Sequence, residues 1–473
     1  MDTIVAISTP HGRGGIGVVR LSGNKALAIA GAVFFISGKS GAKRLIHGKM
    51  AFGEIRADGF SDFGYAVVFK APRSFTGEDI AEFHCHGGTR ILEGVVAACI
   101  GFGARLAEPG EFTKRALLNG KTDLAGAEGV IDMINAESAA AVRAASDMLN
   151  GKLGADIRAL QDGIGALMEN TEAVLDFPEE TEDEVLPDGK RTCAELAATA
   201  QNMLSTARAG RMAKYGVDVV ILGKPNAGKS SLLNAVLKKE RAIVSATAGT
   251  TRDLVTDYIE YDGVKINFTD SAGLRKTDDE IEKSGVERAI KASLNADVVL
   301  LVEDDTDADG GYSPDLSFGA KTEVEPARIF LTVKTKCDLT GGNYGVKAGG
   351  AFSFAQLSAK SDGGVKESGT FPVVRLSSRF GDGVDVLLKL IVSAYKNAET
   401  GAMSALITSP RHISCLTACS EALAQAYDGY VSGLADCILI DLRRAYDALG
   451  QITGTTAGEN LIDSIFSRFC VGK

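Results

Sequence analysis

Residues 217–231, VDVVILGKPNAGKSS, constrain the fold more than any other part of the chain. The first six are mostly apolar and β-branched, which predicts a buried strand. The pattern Gly-x-x-x-x-Gly-Lys-Ser follows at residues 223–230, and a helical run, SSLLNAVLKK, comes next. Glycines at such a junction let backbone N–H groups close around phosphate oxygens, and the helix N-terminus adds partial positive charge. The stretch therefore predicts a P-loop.

Further motifs follow the P-loop in the order that a GTPase needs. We expect Lys229 to reach the β- and γ-phosphates, Ser230 and Thr251 to ligate Mg²⁺, and Asp270 to act as an indirect Mg²⁺ ligand. The N–H of Gly273, in Asp-Ser-Ala-Gly, can sense the γ-phosphate. The predicted GTP contacts in these segments are Asn226, Ala227, Gly228, Lys229, Ser230, Ser231, Gly249, Thr250, Thr251, Asp270, Ser271, Ala272 and Gly273.

The segment Thr335-Lys336-Cys337-Asp338 predicts which base is bound. Asp338 would accept hydrogen bonds from guanine N1 and N2, which adenine cannot donate, and Lys336 would lie along the base. Asn is usual where Thr335 stands, so the tightness of base binding is open. Two segments fit the last base-contacting loop: Ser358-Ala359-Lys360 by its letters, and Ser377-Ser378-Arg379 by its position after a strand. We favour the second.

Composition limits the classes of protein to which the chain can belong. Its 473 residues predict two to four domains. A net charge of −10 argues against nonspecific adhesion to nucleic acid, although RNA could still bind a local basic patch. We find no apolar run long enough to span a membrane and no signal peptide. The eight cysteines include no C-x-x-C and are expected to be thiols in a reducing, cytoplasmic setting.

The pattern of apolar residues predicts a multidomain fold with α+β, all-α and α/β parts. Residues 1–120 would form an α+β domain, with strands at TIVAIS, IGVVRLS and YAVVFKA and a helix over residues 91–100. Residues 121–212 and 399–473 are helical and flank a P-loop GTPase domain at 213–398. We therefore expect one helical bundle with the GTPase domain inserted into it. The stripe Ile438, Leu442, Ala445, Leu449 and Ile452 would face its core.

Several other segments invite functional readings that their context does not favour. The glycines of residues 12–17 match G-x-G-x-x-G but lead into a strand, which argues against a dinucleotide site. His84-Cys85-His86 has no accompanying ligand cluster, so a structural role is favoured over metal binding. The acidic run DFPEETEDE is expected to end a bundle helix in a solvated turn. The polar stretches 303–326 and 340–370 are expected to be loops without assigned function.

Eight segments together carry a resemblance to a known family. They are DTIVAISTPHGRGGIGVVRLSG, SFTGEDIAEFHCHGG, EPGEFTKRALLNGKTDLAGAEG, DFPEE, GKPNAGKSSLLNA, AGTTRD, DSAGLR and IFSRFCVGK. Over nearly its full length the chain resembles the MnmE (TrmE) family of bacterial tRNA-modification GTPases. The P-loop alone is widely shared, whereas the N-terminal segments joined to a terminal Cys-Val-Gly-Lys are specific.

The resemblance implies a role for both ends of the chain. The N-terminal domain would be a folate-binding-like domain that mediates homodimerisation. It would bind a tetrahydrofolate derivative (5-formyl- or 5,10-methylene-) as the one-carbon donor, through Arg20, Glu78, Lys121 and Lys473. Cys470 would be the cysteine needed for modification, and nearby Lys473 or Arg468 could lower the pKa of its thiol.

The resemblance also implies partners and a mode of GTP hydrolysis. With MnmG, a flavoprotein that brings FAD and NADH, the protein would form a heterotetramer or larger complex. The complex would add an aminomethyl or carboxymethylaminomethyl group to C5 of the wobble uridine of certain tRNAs. Leu274 stands where Ras-type enzymes place a water-orienting Gln.

A potassium ion, bound as two GTPase domains meet, would replace an arginine finger, and Glu282 would position the water through a second water. The potassium site would comprise Asn226, Ser245, Thr247 and Thr250, and the switch segment would add the nucleotide contacts Ser245, Ala246, Thr247 and Ala248.

Two other functions compete with this reading. An Era- or Der-like GTP-dependent RNA-binding assembly factor would have a similar GTPase domain, but such factors carry a basic appendage and this chain is acidic and ends in FCVGK. A non-catalytic nucleotide switch is disfavoured by intact Lys229, Ser230, Thr251, Asp270 and Glu282. Folate binding would separate the modification enzyme from both. The bacterial cytosol is the expected location, and an organellar form stays open.

Overall fold

The computed structural model divides the chain into two compact units. The first consists of Met1–Ile131, Asp147–Leu196 and Glu421–Lys473, and the second of Asp132–Ser146 and Ala197–Ser420. Among the described helices, none is both long and apolar enough to cross a membrane. The structure describes residues 2–10, 12–37, 45–57, 59–176, 178–239, 257–270, 296–307, 329–341, 344–347, 373–399, 405–432 and 435–472.

The first unit begins with a seven-stranded sheet. Its strands run in the order β3-β4-β5-β6-β2-β1-β7, and all neighbours are antiparallel except β1 and β7. Helices α1 and α2 cover one face, where Val19, Leu21 and Phe83 are buried, and Phe112 of α3 packs against Ile4 on the other. The elements are β1 (Ile4–Ile7), β2 (Gly14–Ser22), α1 (Ala26–Val33), β3 (Phe34–Ile36), β4 (Ala51–Ala57), β5 (Phe60–Phe69), β6 (Ile80–Gly87), α2 (Thr89–Gly101), β7 (Arg105–Leu106) and α3 (Glu111–Leu118).

The three strands predicted in this region are confirmed as β1, β2 and β5, and the predicted helix is confirmed within α2. Strands β4 and β6 were not predicted, because charged residues, histidines and glycines interrupt their apolar alternation. The glycines of residues 12–17 lead into a strand, as predicted, since β2 begins at Gly14.

His84, Cys85 and His86 lie in succession on β6. Cys85 is buried in the core, and burial raises the pKa of its thiol to about 11. The next residue, His86, is exposed, and its Nδ1 is 2.7 Å from Asp62 Oδ1. Within the described part of the chain, no group of three His, Cys, Asp or Glu side chains is arranged to hold a metal ion.

The second unit contains another seven-stranded sheet, in the order β13-β14-β12-β11-β8-β10-β9. The five central strands are parallel, and β9 and β13 pair antiparallel at the edges. Val219, Leu300, Leu387 and Ile391 belong to its core. The elements are α8 (Ala207–Tyr215), β8 (Val217–Gly223), α9 (Lys229–Lys239), β9 (Asp257–Tyr261), β10 (Val264–Asp270), β11 (Val298–Asp304), β12 (Ile329–Thr335), α10 (Cys337–Thr340), β13 (Gly345–Lys347), β14 (Val373–Arg375) and α11 (Val384–Glu399).

Helices precede and follow this sheet along the chain. Within the first unit, the Gln161 side chain donates to the backbone oxygen of Tyr446, and the Thr171 and Tyr430 hydroxyls lie 2.6 Å apart. The predicted stripe from Ile438 to Ile452 is fully buried. The four-part domain division and the insertion of one domain into the bundle stay predictions. The helices are α4 (Leu124–Asn135), α5 (Ala139–Leu149), α6 (Lys152–Asp176), α7 (Pro178–Ser205), α12 (Pro410–Ser432), α13 (Ala435–Thr453) and α14 (Glu459–Phe466).

Two sequence predictions are wrong. The acidic run after Asp176 is not a turn, because α7 begins at Pro178 and continues through it. Proline suits the first turn of a helix, and acids there are favoured by the helix dipole. The stretch 340–370 contains the end of α10 and the edge strand β13. Most of the stretch 303–326 lies outside the described residues, but its first two residues end β11.

Candidate functional site

The P-loop lies between β8 and α9, as the sequence predicts. Asn226 and Gly228 have positive φ values of 62° and 92°. Left-handed residues in such a loop turn backbone N–H groups toward one concave surface, which suits an anion. The Lys229 ammonium donates to the carbonyl oxygens of Gly223 and Lys224, each at 2.8 Å. The loop thus combines an anion-binding backbone with a cation held at its centre.

Thr335, the last residue of β12, supports the P-loop from the sheet. Its buried hydroxyl donates to the carbonyl oxygen of Ala227 at 2.7 Å. A Cβ atom on Gly228 would lie 3.0 Å from the same hydroxyl, so glycine permits this close approach. The threonine that departs from the usual asparagine therefore makes a direct hydrogen bond to the phosphate-binding loop.

The base-recognition motif follows Thr335 at the carboxyl edge of the sheet. Lys336 is left-handed, with a φ of 58°, and Asp338 lies in the short helix α10. The Ser377 hydroxyl, just after β14, donates to Asp338 Oδ1 at 2.8 Å. This contact favours residues 377–379 as the last base-contacting loop, while Ser358-Ala359-Lys360 lies outside the described residues.

Acidic residues at the end of β11 complete this edge, and sequence reasoning missed them. Asp304 Oδ2 lies 2.5 Å from the Lys336 ammonium, whose hydrogen bond lowers the pKa of Asp304 to about 2. Asp305 pairs with Arg375 and accepts a hydrogen bond from Thr340. Acids directly after a buried parallel strand were the available signal, because ligands bind at the carboxyl ends of such strands. A cavity of about 170 Å³ is lined by Lys224, Pro225, Asn226, Ala227, Val302, Glu303, Asp304, Asp307, Lys334 and Lys336.

Other predicted nucleotide residues are described in part or not at all. Ser230 and Ser231 are exposed in the first turn of α9, so the Ser230 hydroxyl is available to a metal ion. Asp270 ends β10. The remaining residues lie outside the described parts of the chain: Ser245, Ala246, Thr247, Ala248, Gly249, Thr250, Thr251, Ser271, Ala272, Gly273 and Glu282.

A second group of predicted site residues lies in the first unit. Arg20 Nε on β2 donates to Glu82 Oε1 at 2.7 Å. The Ser22 hydroxyl, on the same strand, donates to Glu78 Oε2 at 2.7 Å. The Lys121 ammonium donates to the backbone oxygen of Pro72. The Lys121 side chain also lies close to Gly77, since a Cβ atom added at Gly77 would come within 3.5 Å of it. The segment around Glu78 thus adjoins both β2 and Lys121.

Glu78 is fixed in place by a buried arginine that sequence reasoning did not select. Arg115 Nη1 lies 3.0 Å from Glu78 Oε2, and Arg115 also binds Asp2 and Glu111. Hydrogen bonds from Arg105 and then Arg115 hold the pKa of Asp2 below its usual value. Burial opposes ionisation of Glu111, but hydrogen bonds from Arg105, the Glu108 N–H and Arg115 keep the pKa of Glu111 lowered. The cluster therefore holds the Glu78 carboxyl group in one orientation.

The C-terminal tail, residues 467–472, lies beside the segment between β7 and α3, where Val471 forms an isolated β-bridge with Pro109. The Gly110 N–H donates to the carbonyl oxygen of Cys470 at 3.4 Å, and the Ser8 hydroxyl donates to that of Gly472 at 3.0 Å. Phe469 is buried beside Phe466, with ring centroids 5.0 Å apart. Cys470 is exposed, and Lys473 lies outside the described residues.

Comparisons with known proteins agree on one family. A family model described as the MnmE helical domain matches residues 124–470, and one described as the GTP-binding protein TrmE N-terminus matches residues 3–121. The chain is 41% identical to the tRNA modification GTPase MnmE of Laribacter hongkongensis and 40% identical to that of Moorella thermoacetica. Both alignments cover 100% of this chain and 99% of the relative.

Solved structures give weaker matches. A structure of Era from Aquifex aeolicus bound to GDP and aluminium fluoride is 26% identical, with 43% of this chain and 66% of that chain covered. Its TM-score is 0.24, a value too low to relate the two folds.

Proposed function

The chain belongs to the MnmE family of tRNA modification GTPases, and we propose that it couples GTP hydrolysis to modification of tRNA at C5 of the wobble uridine. It would act with the flavoprotein MnmG, in a heterotetramer or larger complex, to add an aminomethyl or carboxymethylaminomethyl group. A tetrahydrofolate derivative would supply the one-carbon unit.

The observation that carries this proposal is that the C-terminal tail is hydrogen-bonded to the N-terminal domain at the end of β1. Gly472 is bound to Ser8, which directly follows β1, and β1 pairs Ala6 with Arg20. The tail that carries an exposed thiol is thereby held at the end of β1, the strand that neighbours the one with the predicted folate contact Arg20. A GTPase that served only as a switch would have no need of this arrangement.

The side chains around Glu78 fit a folate in their chemistry. A folate has N–H donors on its pterin ring and carboxylates at its other end, so it needs both an acceptor and cations. Glu78 supplies an acceptor, held by Ser22 and Arg115, and Arg20 and Lys121 supply cations on adjoining segments. When bound, the folate would provide the one-carbon group, while these residues orient it. Lys473 would add a further cation.

The P-loop would bind the phosphates of GTP through its backbone and Lys229. The Lys229 ammonium now held by two carbonyl groups would turn to the β- and γ-phosphates. Ser230 and Thr251 would hold Mg²⁺, and Asn226, Ser245, Thr247 and Thr250 would hold K⁺. Both ions would neutralise charge on the phosphates. Glu282 would position the attacking water.

The first unit also offers a surface for homodimerisation. Phe52, Phe63 and Tyr65 project from the sheet face opposite α1 and α2, and each is about half exposed. The Phe52 ring lies 6.3 Å from that of Phe63 and 5.4 Å from that of Tyr65. An exposed aromatic cluster gains free energy when a partner removes it from water. We propose that a second copy covers it.

The decisive experiment replaces Cys470 by serine in the full chain. Cys470→Ser should abolish tRNA modification in a reaction reconstituted with MnmG, while GTP turnover and binding of 5-formyltetrahydrofolate stay unchanged. Cys437→Ser is the matched control, because Cys437 is also exposed but lies on α13. Modification at the wild-type level by Cys470→Ser would refute the role of the tail.

Two further experiments test the GTPase mechanism and the dimer. GTP turnover should be at least about tenfold faster in KCl than in NaCl and should collapse in Glu282→Ala but not in Glu280→Ala. Equal turnover in both salts would exclude the potassium mechanism. Phe63→Glu should shift the sedimentation coefficient to that of a monomer, whereas Phe102→Glu, equally exposed beside α2, should not.

A further inference from the structure

We propose that Asp304 is a positioning residue for guanine-nucleotide binding, because it holds Lys336 where that side chain meets the base. Asp304 lies outside the motifs that identify the nucleotide site. The inference rests on the proposed role of Lys336, and the experiment below distinguishes failure of one from failure of the other.

Both oxygens of the Asp304 carboxylate are hydrogen-bonded, one to Thr306 and the other to Lys336. Oδ1 accepts from the backbone N–H of Thr306 at 3.0 Å and from its hydroxyl at 2.7 Å. Oδ2 is thereby turned to the Lys336 ammonium, 2.5 Å away. An ion pair between two mobile side chains gains little, because both lose conformational freedom. Here the acid is already fixed, so mainly the lysine is ordered.

The backbone of Lys336 is held on both sides. Thr335 and Cys337 are fully buried. The Thr335 carbonyl oxygen accepts from the Asp305 N–H at 3.0 Å, and the Cys337 N–H donates to the Leu376 carbonyl oxygen at 3.4 Å. These contacts maintain a left-handed conformation that is rare for a residue with a side chain. With the backbone fixed, the side-chain torsions decide where the ammonium and its stem lie.

The other two lysines that line this cavity lie closest to other acidic residues, so Asp304 is the partner of Lys336. Lys334 lies 3.9 Å from Asp305, and Lys224 lies 3.6 Å from Asp307. Neutralising Asp304 would therefore remove the charge that selects one position of the Lys336 side chain. The nucleotide would then have to select that position itself, which weakens its apparent affinity.

The effect should fall on binding and not on hydrolysis. The base is not changed in the reaction, so a contact with it contributes equally to the substrate complex and the transition state. Loss of such a contact raises KM and leaves kcat unchanged. A general distortion of the site would lower kcat as well.

The test is a double-mutant cycle of Asp304→Asn and Lys336→Ala in the full chain, read by GDP titration and by steady-state GTP hydrolysis. Asp304→Asn should raise the Kd for GDP and the KM for GTP about five- to tenfold, with kcat within about twofold of wild type. In the Lys336→Ala background, Asp304→Asn should add less than about a twofold effect.

The matched control is Asp262→Asn. Asp262, like Asp304, pairs with a lysine, Lys396, but it lies in the β9–β10 turn, at the opposite end of β10 from Asp270. Its removal should leave GDP affinity unchanged.

Each contrary result overturns a definite statement. If Lys336→Ala leaves GDP affinity unchanged, the role of Lys336 at the base is wrong. If Lys336→Ala weakens GDP binding but Asp304→Asn does not, the positioning inference is wrong. Effects that multiply in the double variant, or a kcat that falls together with the melting temperature, would show that Asp304 acts on the fold and not through Lys336.

Discussion

The hydroxyl of Thr335 should be required for tight nucleotide binding, and Thr335→Val tests this with little change of shape. The substitution removes a donor that lies 2.7 Å from the Ala227 carbonyl oxygen. Thr335 is fully buried, so water does not take the place of the lost hydroxyl group itself. The variant leaves a P-loop acceptor without this partner.

Loss of one buried hydrogen bond, with its acceptor left behind, costs about 1–3 kcal/mol. Because the neighbouring P-loop residue Asn226 is exposed, water can approach the Ala227 carbonyl oxygen from the loop side and partly compensate it, and we take about 1–1.5 kcal/mol as the net cost. If that energy is lost from the binding-competent loop, the Kd for GDP rises about five- to tenfold. Hydrogen exchange of the peptide that contains residues 223–229 should accelerate by a similar factor.

The assay is fluorescence titration with a labelled GDP, alongside exchange measured by mass spectrometry. Thr332→Val is the control, since Thr332 lies on the same strand and is partly exposed. A GDP affinity within twofold of wild type, together with unchanged exchange of the loop, would refute the claim that Thr335 supports the P-loop. Equal effects of both variants would point to the strand and not to the hydrogen bond.

Two more predictions concern the first unit. Gly472→Ala should reduce tRNA modification by more than about tenfold without changing GTP turnover. Gly472 has a φ of 98°, and a Cβ atom on it would lie 2.2 Å from the Ile7 carbonyl oxygen. Normal modification by this variant would show that modification does not require the tail to bind there. The pKa values of Asp2 and Glu111 are lowered in the folded state, so the stability they contribute is present above their unfolded pKa values and is lost as pH falls through the folded ones. The melting temperature of the first unit should therefore decrease when the pH is lowered below about 4. The variant Arg105→Gln should show a weaker dependence of melting temperature on pH. A melting temperature that does not change with pH would contradict this prediction.

Local sequence signals identified the parts of the nucleotide site that are contiguous in the chain. The P-loop needs one strand, one set of glycines and one helix start, all within 15 residues, so its pattern is legible without a fold. Lys336 and Asp338 were likewise found from four consecutive residues. Ser377 was selected by its position after a predicted strand. Asp304, the partner of Lys336, was not found, because only the pairing of β11 with β12 brings it to the same edge.

The same reason explains the misses in the first unit. Arg115 was passed over as one charge among many, and its role follows from contacts with Asp2 and Glu78, which are distant in sequence. The sequence predicts a turn at the acidic run after Asp176 because proline and repeated acids usually interrupt a helix. At a helix start the same residues are favourable, and the sequence alone does not say which side of the boundary they occupy.

The contact between the C-terminal tail and the N-terminal domain forms late in the synthesis of the protein. The hydrogen bond between Ser8 and Gly472 joins residues 464 positions apart, so the ribosome completes one partner long after the other. The N-terminal sheet and the P-loop are both synthesised before Cys470 emerges. A chain whose synthesis stops early can therefore carry a nucleotide-binding loop and lack the thiol, and the proposed modification site is completed only after the N-terminal sheet and the P-loop have been synthesised.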